Sequence, residues 1–174
     1  NQSKNIIRKY LREKFIILLL KISTNIIFLS KSEKIFAEEN YSRYKEKLFF
    51  LPFPVDSKFW YKDKPNNNKK VLFIGNDGKR DYELVTNIAR KMINYEFIFV
   101  SKQFEGINLP KNVKLYQGKW ADNEISDIKI RDIYAECFVS IIPLKDSIQP
   151  SGQSVALQSM SMNIPVIITK TQGF

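Results

Sequence analysis

The sequence lacks histidine altogether and has a single cysteine, Cys137, among its 174 residues. Without histidine the chain has no Ser-His-Asp or Cys-His nucleophile and no histidine general base, and most zinc sites lose their usual ligands. A lone cysteine excludes an intrachain disulfide and a thiolate metal cluster. We therefore expect a protein of a reducing, cytosolic compartment whose functional site holds no metal.

Long apolar runs are missing as well. No stretch reaches the roughly 18 consecutive apolar residues that a transmembrane helix needs, because the most apolar one, residues 15–29, is interrupted by Lys21, Ser23, Thr24 and Asn25. With 44% hydrophobic residues the chain can still bury a core. Its length is typical of about one large domain.

The net charge of +10 is unevenly distributed. Residues 1–70 contain 16 Lys and Arg against 7 Asp and Glu, whereas residues 71–174 contain 12 against 11. Apolar side chains recur at helical spacing near the start and predict a basic amphipathic helix over 3–22. Its basic residues, between 4 and 21, form either a solvated surface or a contact with an anionic membrane. They alternate with aliphatic rather than aromatic side chains, which argues against nucleic acid.

The chain divides into two parts by pattern. Residues 25–29 predict a buried strand, 31–45 a polar helix and 47–53 an extended segment that Pro52 and Pro54 end. An interdomain linker is expected after this, with a boundary near residue 57. Beyond it, continuous apolar strands alternate with helices, which indicates a doubly wound parallel α/β domain. The predicted strands are 71–74, 97–100, 113–116, 138–142 and 165–168, and the helices are 80–93, 125–137 and 152–162.

Two loops of this second part carry candidate binding groups at the carboxyl ends of strands, where such sheets bind ligands. The first loop, residues 75–81, has glycines at 75 and 78 and places Lys79 and Arg80 in the first turn of the next helix. Cations are unfavourable there unless an anion binds; the alternative is local neutralisation by Asp77 and Asp81.

The second loop, residues 145–154, precedes a helix for which Ser151 is the expected N-cap. The glycine after it lets the backbone amides approach a phosphate, although an ordinary capped helix would have the same signature. The chain has no phosphate-binding Gly-x-x-x-x-Gly-Lys-Ser/Thr loop, no Gly-x-Gly-x-x-Gly and no carboxylate pair at the crevice. What remains is a diphosphate site that would assist departure of a phosphate leaving group electrostatically.

The segment Ser151–Ile167, with Pro165-Val166-Ile167 at its end, resembles the donor-site segment of glycosyltransferase family 4 and its relatives. The resemblance extends to Asn25–Ser30, to the crossover at Lys47–Asp56 and to Val71–Gly75. It implies the GT-B fold, with residues 1–57 ending an N-terminal acceptor-side domain. Residues 58–174 would then form a Rossmann-like nucleotide-sugar-binding domain, truncated at its C-terminus. A fragment of this extent is expected to be inactive alone.

The resemblance also implies roles for individual residues. Arg80 and Gln153 would act in catalysis, Arg80 on the donor diphosphate. Gln158 falls at the usual ribose-binding glutamate, and Gly118 precedes the loop near the nucleobase. The donor-binding set is Gly75, Asn76, Lys79, Gly118, Gln149, Ser151, Gly152, Ser154 and Gln158.

Several positions depart from the family pattern. Asn76 stands where an arginine is common, Pro150 where a glutamate often contacts the sugar, and Asn163 where a glycine is usual. Glutamine can still hydrogen-bond sugar hydroxyls but supplies no negative charge.

The expected function is transfer of a sugar from a nucleotide-sugar donor to a saccharide or lipid-linked acceptor, with retention and no required cofactor. Such a protein would act in polysaccharide biosynthesis, in the cytoplasm or peripherally at the inner membrane face. A non-catalytic GT-B-like nucleotide-binding or partner subunit is the alternative. A sugar-nucleotide epimerase is disfavoured, since those enzymes rely on carboxylates and usually histidine.

Overall fold

The computed structural model describes residues 2–117 and 125–174. These residues form two compact units, one ending at Pro52 and the other beginning at Phe53. No helix among the described residues is long and apolar enough to cross a bilayer.

The first unit is a small α/β layer. It contains helix α1 (Gln2–Ile22), strand β1 (Ile26–Phe28), helix α2 (Lys31–Asn40), a 3-10 helix (Ser42–Lys47) and strand β2 (Leu48–Phe50). The two strands pair in parallel, and their core consists of Leu20, Ala37 and Leu48. The predicted first helix is thus confirmed. The strand predicted at 25–29 is confirmed as the shorter β1, but its predicted burial is wrong for Ile27, which is 58% exposed because it points away from this core.

The second unit is built on five parallel strands in the order β5-β4-β3-β6-β7. The strands are β3 (Lys70–Ile74), β4 (Glu96–Val100), β5 (Val113–Tyr116), β6 (Val139–Ile142) and β7 (Val166–Ile168). The connecting helices are α3 (Tyr82–Lys91), α4 (Asp127–Glu136) and α5 (Gln153–Ser161). Each predicted strand and helix of this part is present, with ends that differ by a few residues.

Alternate residues of the central strands face two separate cores, as a period of two requires. Val71 and Phe73 of β3 pack on the side of α3, whereas Leu72 and Ile74 pack on the side of α4 and α5. Both faces of the sheet are therefore covered, which explains why the strands are continuous apolar runs.

One packing detail differs from expectation. The segment after residue 53 is only partly a linker, since Trp60 is 7% exposed and stacks edge-on against Tyr134 in the core. On α3 the buried side chains are Val85, Thr86 and Ala89, whereas Leu84 and the C-cap residue Met92 are 41% and 39% exposed. Val85 and Ala89 lie on the face that meets β3 and β4.

Candidate functional site

The strand order places a crevice between β3 and β6. From β3 the chain builds outward through β4 and β5, then returns to the other side of β3 with β6 and β7. Connections on the two sides of such a switch point diverge, leaving an opening at the carboxyl ends of the strands. The two loops that meet there are the first loop, 75–81, after β3, and the second loop after β6. In the structure the second loop spans 143–152.

Backbone hydrogen bonds hold these two loops together. Arg80 and Leu144 form an isolated antiparallel bridge. The N–H of Asp81 donates to the carbonyl of Pro143 at 3.0 Å, and the N–H of Lys145 donates to the carbonyl of Lys79 at 2.8 Å. The position of Arg80 relative to the second loop is therefore fixed by the main chain as well as by its side chain.

The bridge also corrects the predicted start of the third helix. Arg80 and Lys79 do not lie in the first turn of α3, because the helix begins at Tyr82 with Asp81 as its N-cap. The carboxylate of Asp81 accepts from the N–H of Leu84 at 2.9 Å and meets the positive end of the helix dipole. Arg80 is thereby free to point into the crevice.

Arg80 is a buried cation with few counter-charges. Only 4% of the residue is exposed, and its Nε donates to the carbonyl of Ile74 at 3.3 Å. Its Nη1 lies 3.1 Å from Oδ2 of Asp77 and donates to Oγ of Ser151. The Ser151 hydroxyl in turn donates to Oδ2 of Asp77 at 3.0 Å. A carboxylate, a hydroxyl and a guanidinium thus form a closed triad across the crevice.

Burial and charge act in opposite directions on Arg80. Burial lowers the pKa of the guanidinium from its ordinary value, and the carboxylate of Asp77 partly offsets this effect. Arginine nevertheless stays protonated in proteins, so the crevice contains a desolvated positive charge. Beside it, burial raises the pKa of Tyr82 to about 12. Its hydroxyl donates to the carbonyl of Asp77 at 2.6 Å and braces the loop.

Two glycines make the close approach of the loops possible. A Cβ on Gly75 would lie 2.6 Å from both Cγ and Nε of Arg80. A Cβ on Gly152 would lie 2.7 Å from Cγ2 of Ile142 and 3.6 Å from Nη1 of Arg80. Gly152 also has φ +85°, a left-handed conformation that favours glycine.

The start of α5 differs from the prediction in one respect. Ser151 is not the N-cap; Gly152 takes that position without a side-chain cap bond. The reason is that the Ser151 hydroxyl is used by Asp77 and Arg80 instead. The first bond within the helix runs from the N–H of Ala156 to the carbonyl of Gly152 at 2.9 Å. The first N–H groups of an α-helix point outward from its start, and the helix dipole makes this end positive.

The guanidinium of Arg80 therefore lies near the positive end of α5, the arrangement that binds phosphate groups in proteins. The half-exposed carboxylate of Asp77 is the negative group that this triad contains. Sequence reasoning placed Arg80, Ser151 and Gly152 together, and the structure does bring these three residues into contact or close approach.

The remaining predicted residues are distributed around this centre. Gln153 and Ser154 open α5 and are partly exposed, and Gln149 is exposed in the second loop. Lys79 is partly exposed, and its N–H donates to Oδ1 of Asp77 at 2.8 Å. Gly118 lies outside the described residues, as do its neighbours 119–124.

Two residues that were predicted to bind the nucleotide-sugar donor point away from the triad. Asn76 turns toward the next loop, where its Oδ1 accepts from the N–H of Lys102 at 2.7 Å and from the hydroxyl of Ser101 at 3.3 Å. Gln158 is 9% exposed, and its side-chain carbonyl accepts from the Tyr134 hydroxyl at 3.1 Å. In this arrangement both groups support neighbouring elements, and their binding to a donor stays a prediction.

The segment after β7 supports the second loop. Sequence reasoning did not predict this support. Oγ1 of Thr169 accepts from the N–H of Leu144 at 3.1 Å. Gly173 packs so tightly that an added Cβ would clash with the carbonyl oxygen of Gln149. The available signal was the position of Thr169 directly after a strand that neighbours β6. Within 2–117 and 125–174, no group of three or more acidic or cysteine side chains is arranged to hold a metal.

Comparison with known proteins gives a likeness in fold. No protein-family model and no curated protein matches the sequence. A glycosyltransferase from Rickettsia africae ESF-5 aligns over 92% of this chain and 49% of its own, at 14% identity and a TM-score of 0.64. TarM aligns over 92% of this chain and 32% of its own, at 16% identity and a TM-score of 0.66.

The catalytic domain of starch synthase IV from Arabidopsis thaliana, bound to ADP and acarbose, aligns at 13% identity and a TM-score of 0.66. This match covers 88% of our chain and 41% of the enzyme domain, so the chain spans about half or less of the length of these proteins. At such low identities the likeness concerns the fold alone. The predicted fold class is confirmed: over the aligned part, the chain has the mixed α/β fold of GT-B glycosyltransferases.

Proposed function

We propose that this chain carries the donor-binding side of a family 4-like glycosyltransferase. The whole protein would transfer a sugar, of hexosyl type, from a nucleoside diphosphate donor to a saccharide or lipid-linked acceptor with retention. The observation that carries the proposal is the buried Arg80 at the strand-order switch, facing the start of α5. These features combine one full positive charge with the partial charge of a helix end.

The proposed chemistry needs little beyond this electrostatic site. As the bond between the anomeric carbon and the phosphate oxygen breaks, its electron pair moves onto the diphosphate, while the acceptor hydroxyl oxygen bonds to the anomeric carbon and its proton passes to the departing diphosphate. Arg80 and the first-turn amides of α5 stabilise that developing charge in a largely desolvated crevice. Gln153 and Ser154, at the same helix end, are placed to hydrogen-bond phosphate or sugar oxygens.

We assign donor binding to the second unit and acceptor binding to residues beyond it. Because the chain spans about half or less of the glycosyltransferases with this fold, we expect it to bind donor without completing transfer alone. A polysaccharide or glycolipid pathway in the cytoplasm is consistent with the lack of disulfides and with the basic first unit.

Thermal-shift titration of the chain with UDP-, GDP- and ADP-sugars tests the proposal. A ligand present at 100 times its Kd stabilises the folded state by about 2.7 kcal/mol. We expect one nucleotide class to raise the Tm and Arg80→Gln to abolish that rise. The matched control is Arg131→Gln, a partly exposed cation on α4. If no nucleotide sugar stabilises the chain, the proposal fails.

A non-catalytic GT-B-like nucleotide-binding or partner subunit is the second candidate. It is favoured by Gln158 and Pro150, which stand where the family resemblance leads one to expect carboxylates, and by the use of Gln158 in the core. Both candidates predict nucleotide binding. Release of free sugar from the donor, lost in Arg80→Gln, would support the enzyme; binding without any turnover by the full-length protein would support the subunit.

We further propose that α1 contacts an anionic membrane surface. The helix buries Leu20 against the rest of the first unit. A separate apolar stripe on the opposite side of the helix is 51–70% exposed. This stripe consists of Ile7, Leu11, Phe15, Leu18 and Ile22. Exposed basic side chains flank it, namely Arg8, Arg12, Lys14 and Lys21. Such a combination inserts apolar groups at the lipid interface while each basic group adds about 1 kcal/mol near anionic lipid.

Vesicle sedimentation tests this contact. We expect binding to phosphatidylcholine vesicles that contain phosphatidylglycerol, and weaker binding to pure phosphatidylcholine. Phe15→Glu should abolish binding, whereas Ile93→Glu, at a 74% exposed position of the second unit, should not. Equal behaviour of the two variants, or self-association of the chain through α1 in solution, would contradict the proposal.

A further inference from the structure

The triad across the crevice contains a negative charge where the proposed site requires a positive one. Oδ2 of Asp77 lies 3.1 Å from Nη1 of Arg80 and accepts from the Ser151 hydroxyl at 3.0 Å. Both partners belong to the proposed phosphate site. A donor diphosphate and this carboxylate would compete for the same hydrogen-bond donors.

Arg80 has anchors other than Asp77. The Arg80 side chain is anchored through Nε to the carbonyl of Ile74 at 3.3 Å and packs closely on Gly75. Its backbone is fixed by the bridge to Leu144. With these anchors on the buried side, Asp77 contributes mainly charge at the open side, where its side chain is 47% exposed.

The charges at this point show what the carboxylate does. Arg80 carries one positive charge, and the start of α5 adds roughly half of one. Asp77 cancels most of the total while no anion is bound. A diphosphate that entered beside the Asp77 carboxylate would meet strong repulsion, so the carboxylate has to move toward solvent for Arg80 and Ser151 to turn to the ligand.

We infer that Asp77 is a stand-in anion for the donor phosphate: it occupies the phosphate-binding groups of the site and is displaced when a nucleotide binds. Asp77 would thereby keep the buried guanidinium paired between turnovers, and a phosphate group would have to displace it in order to bind. This inference rests on the proposed donor site. Neutralising Asp77 should therefore strengthen, not weaken, the binding of phosphate-bearing ligands.

The substitution Asp77→Asn removes the charge and keeps the loop. Oδ1 of Asp77 accepts from the N–H of Lys79 at 2.8 Å, a bond that the carbonyl of asparagine can retain. The Asp77 backbone carbonyl still accepts from Tyr82. Asp77→Ser offers a second neutral variant, since its hydroxyl can form the same turn.

Calorimetric titration with inorganic pyrophosphate at low ionic strength provides the test. We expect wild type to bind, Arg80→Gln to lose binding, and both neutral Asp77 variants to bind roughly three- to tenfold more tightly, as expected for removal of one nearby unit charge in a partly solvated site. Asp132→Asn, on α4, changes the net charge equally and should bind like wild type. Uridine, which has no phosphate, should show no dependence on Asp77.

The outcomes separate the two claims. Tighter binding in both neutral variants supports the stand-in role. If wild type binds pyrophosphate through Arg80 but the Asp77 variants bind equally or more weakly, Asp77 is a positioning residue and the inference is overturned, while the donor site stands. If pyrophosphate binds to none of the folded variants, both claims fail. A thermal melt of each variant confirms folding.

Discussion

Substitution of Gly75 by alanine should displace Arg80 without replacing any polar side chain of the crevice. The added Cβ would lie 2.6 Å from Cγ and Nε of Arg80 and 2.9 Å from Cδ. Ordinary van der Waals contact begins at 3.4 Å, so the side chain has to move by about 0.8 Å. Arg80 is 4% exposed, which leaves little room for that movement.

The expected losses of stability and of pyrophosphate affinity follow from the contacts of Arg80. The bond from Nε to the carbonyl of Ile74 is already 3.3 Å long, and a further shift breaks it. Overpacking a dense site costs about 1–3 kcal/mol. We expect the free energy of unfolding of Gly75→Ala to fall by about 2 kcal/mol and the Tm by about 5 °C. Pyrophosphate binding should weaken about tenfold, since a hydrogen bond to a charged group contributes about 1.5 kcal/mol.

Gly78→Ala is the matched control in the same loop. A Cβ there meets no atom within 4 Å, and Gly78 does not have the positive φ that strains an alanine. Its Tm should stay within about 2 °C of wild type, because surface changes usually alter stability by less than about 0.5 kcal/mol. Calorimetric scans and pyrophosphate titrations of both variants check this. Wild-type binding by folded Gly75→Ala, or equal damage by Gly78→Ala, would refute the assigned role of Arg80.

Further predictions concern stability. Ser140→Ala should leave the Tm unchanged or raise it, because the buried Ser140 hydroxyl has no partner among the described residues; a fall of several degrees would contradict this. Burial raises the pKa of the Cys137 thiol to about 12, so iodoacetamide should label it only after unfolding. The stability that this protonated thiol contributes is present below pH 9 and lost as the pH rises toward about 12, a dependence that Cys137→Ala should weaken. Lys47→Met should speed amide hydrogen exchange at the end of α1, where Nζ donates to the carbonyls of Leu20, Lys21 and Ser23 at 2.8–3.2 Å; unchanged exchange would contradict that.

Sequence patterns were sufficient for the main sheet because its strands are buried on both sides. Runs such as Val71–Ile74 and Phe97–Val100 contain no polar interruption, and only a sheet with helices on both faces buries such runs completely. Strand burial in the first unit was harder to predict. Whether Ile27 is covered depends on the packing partners of a two-stranded sheet, which local pattern does not encode.

The candidate site was predictable at the level of loops but not of contacts. The carboxyl ends of β3 and β6 were identified because parallel sheets bind ligands there. The N-cap was misassigned because the Ser151 hydroxyl has its partners far away in the sequence, at Asp77 and Arg80. Likewise, the inward orientation of Gln158 depends on Tyr134 of another helix. Propensity rules describe neighbours along the chain and miss such distant bonds.

The central claim is that the crevice between β3 and β6 binds the diphosphate of a nucleotide. A titration of the isotopically labelled chain with UDP, followed by NMR, tests it most directly. We predict that the largest amide shifts fall in the loop 75–81 and at the start of α5, Gln153 to Val155, and that they disappear in Arg80→Gln. Saturable shifts confined to other surfaces, or no shift with UDP, GDP or ADP, would contradict the claim.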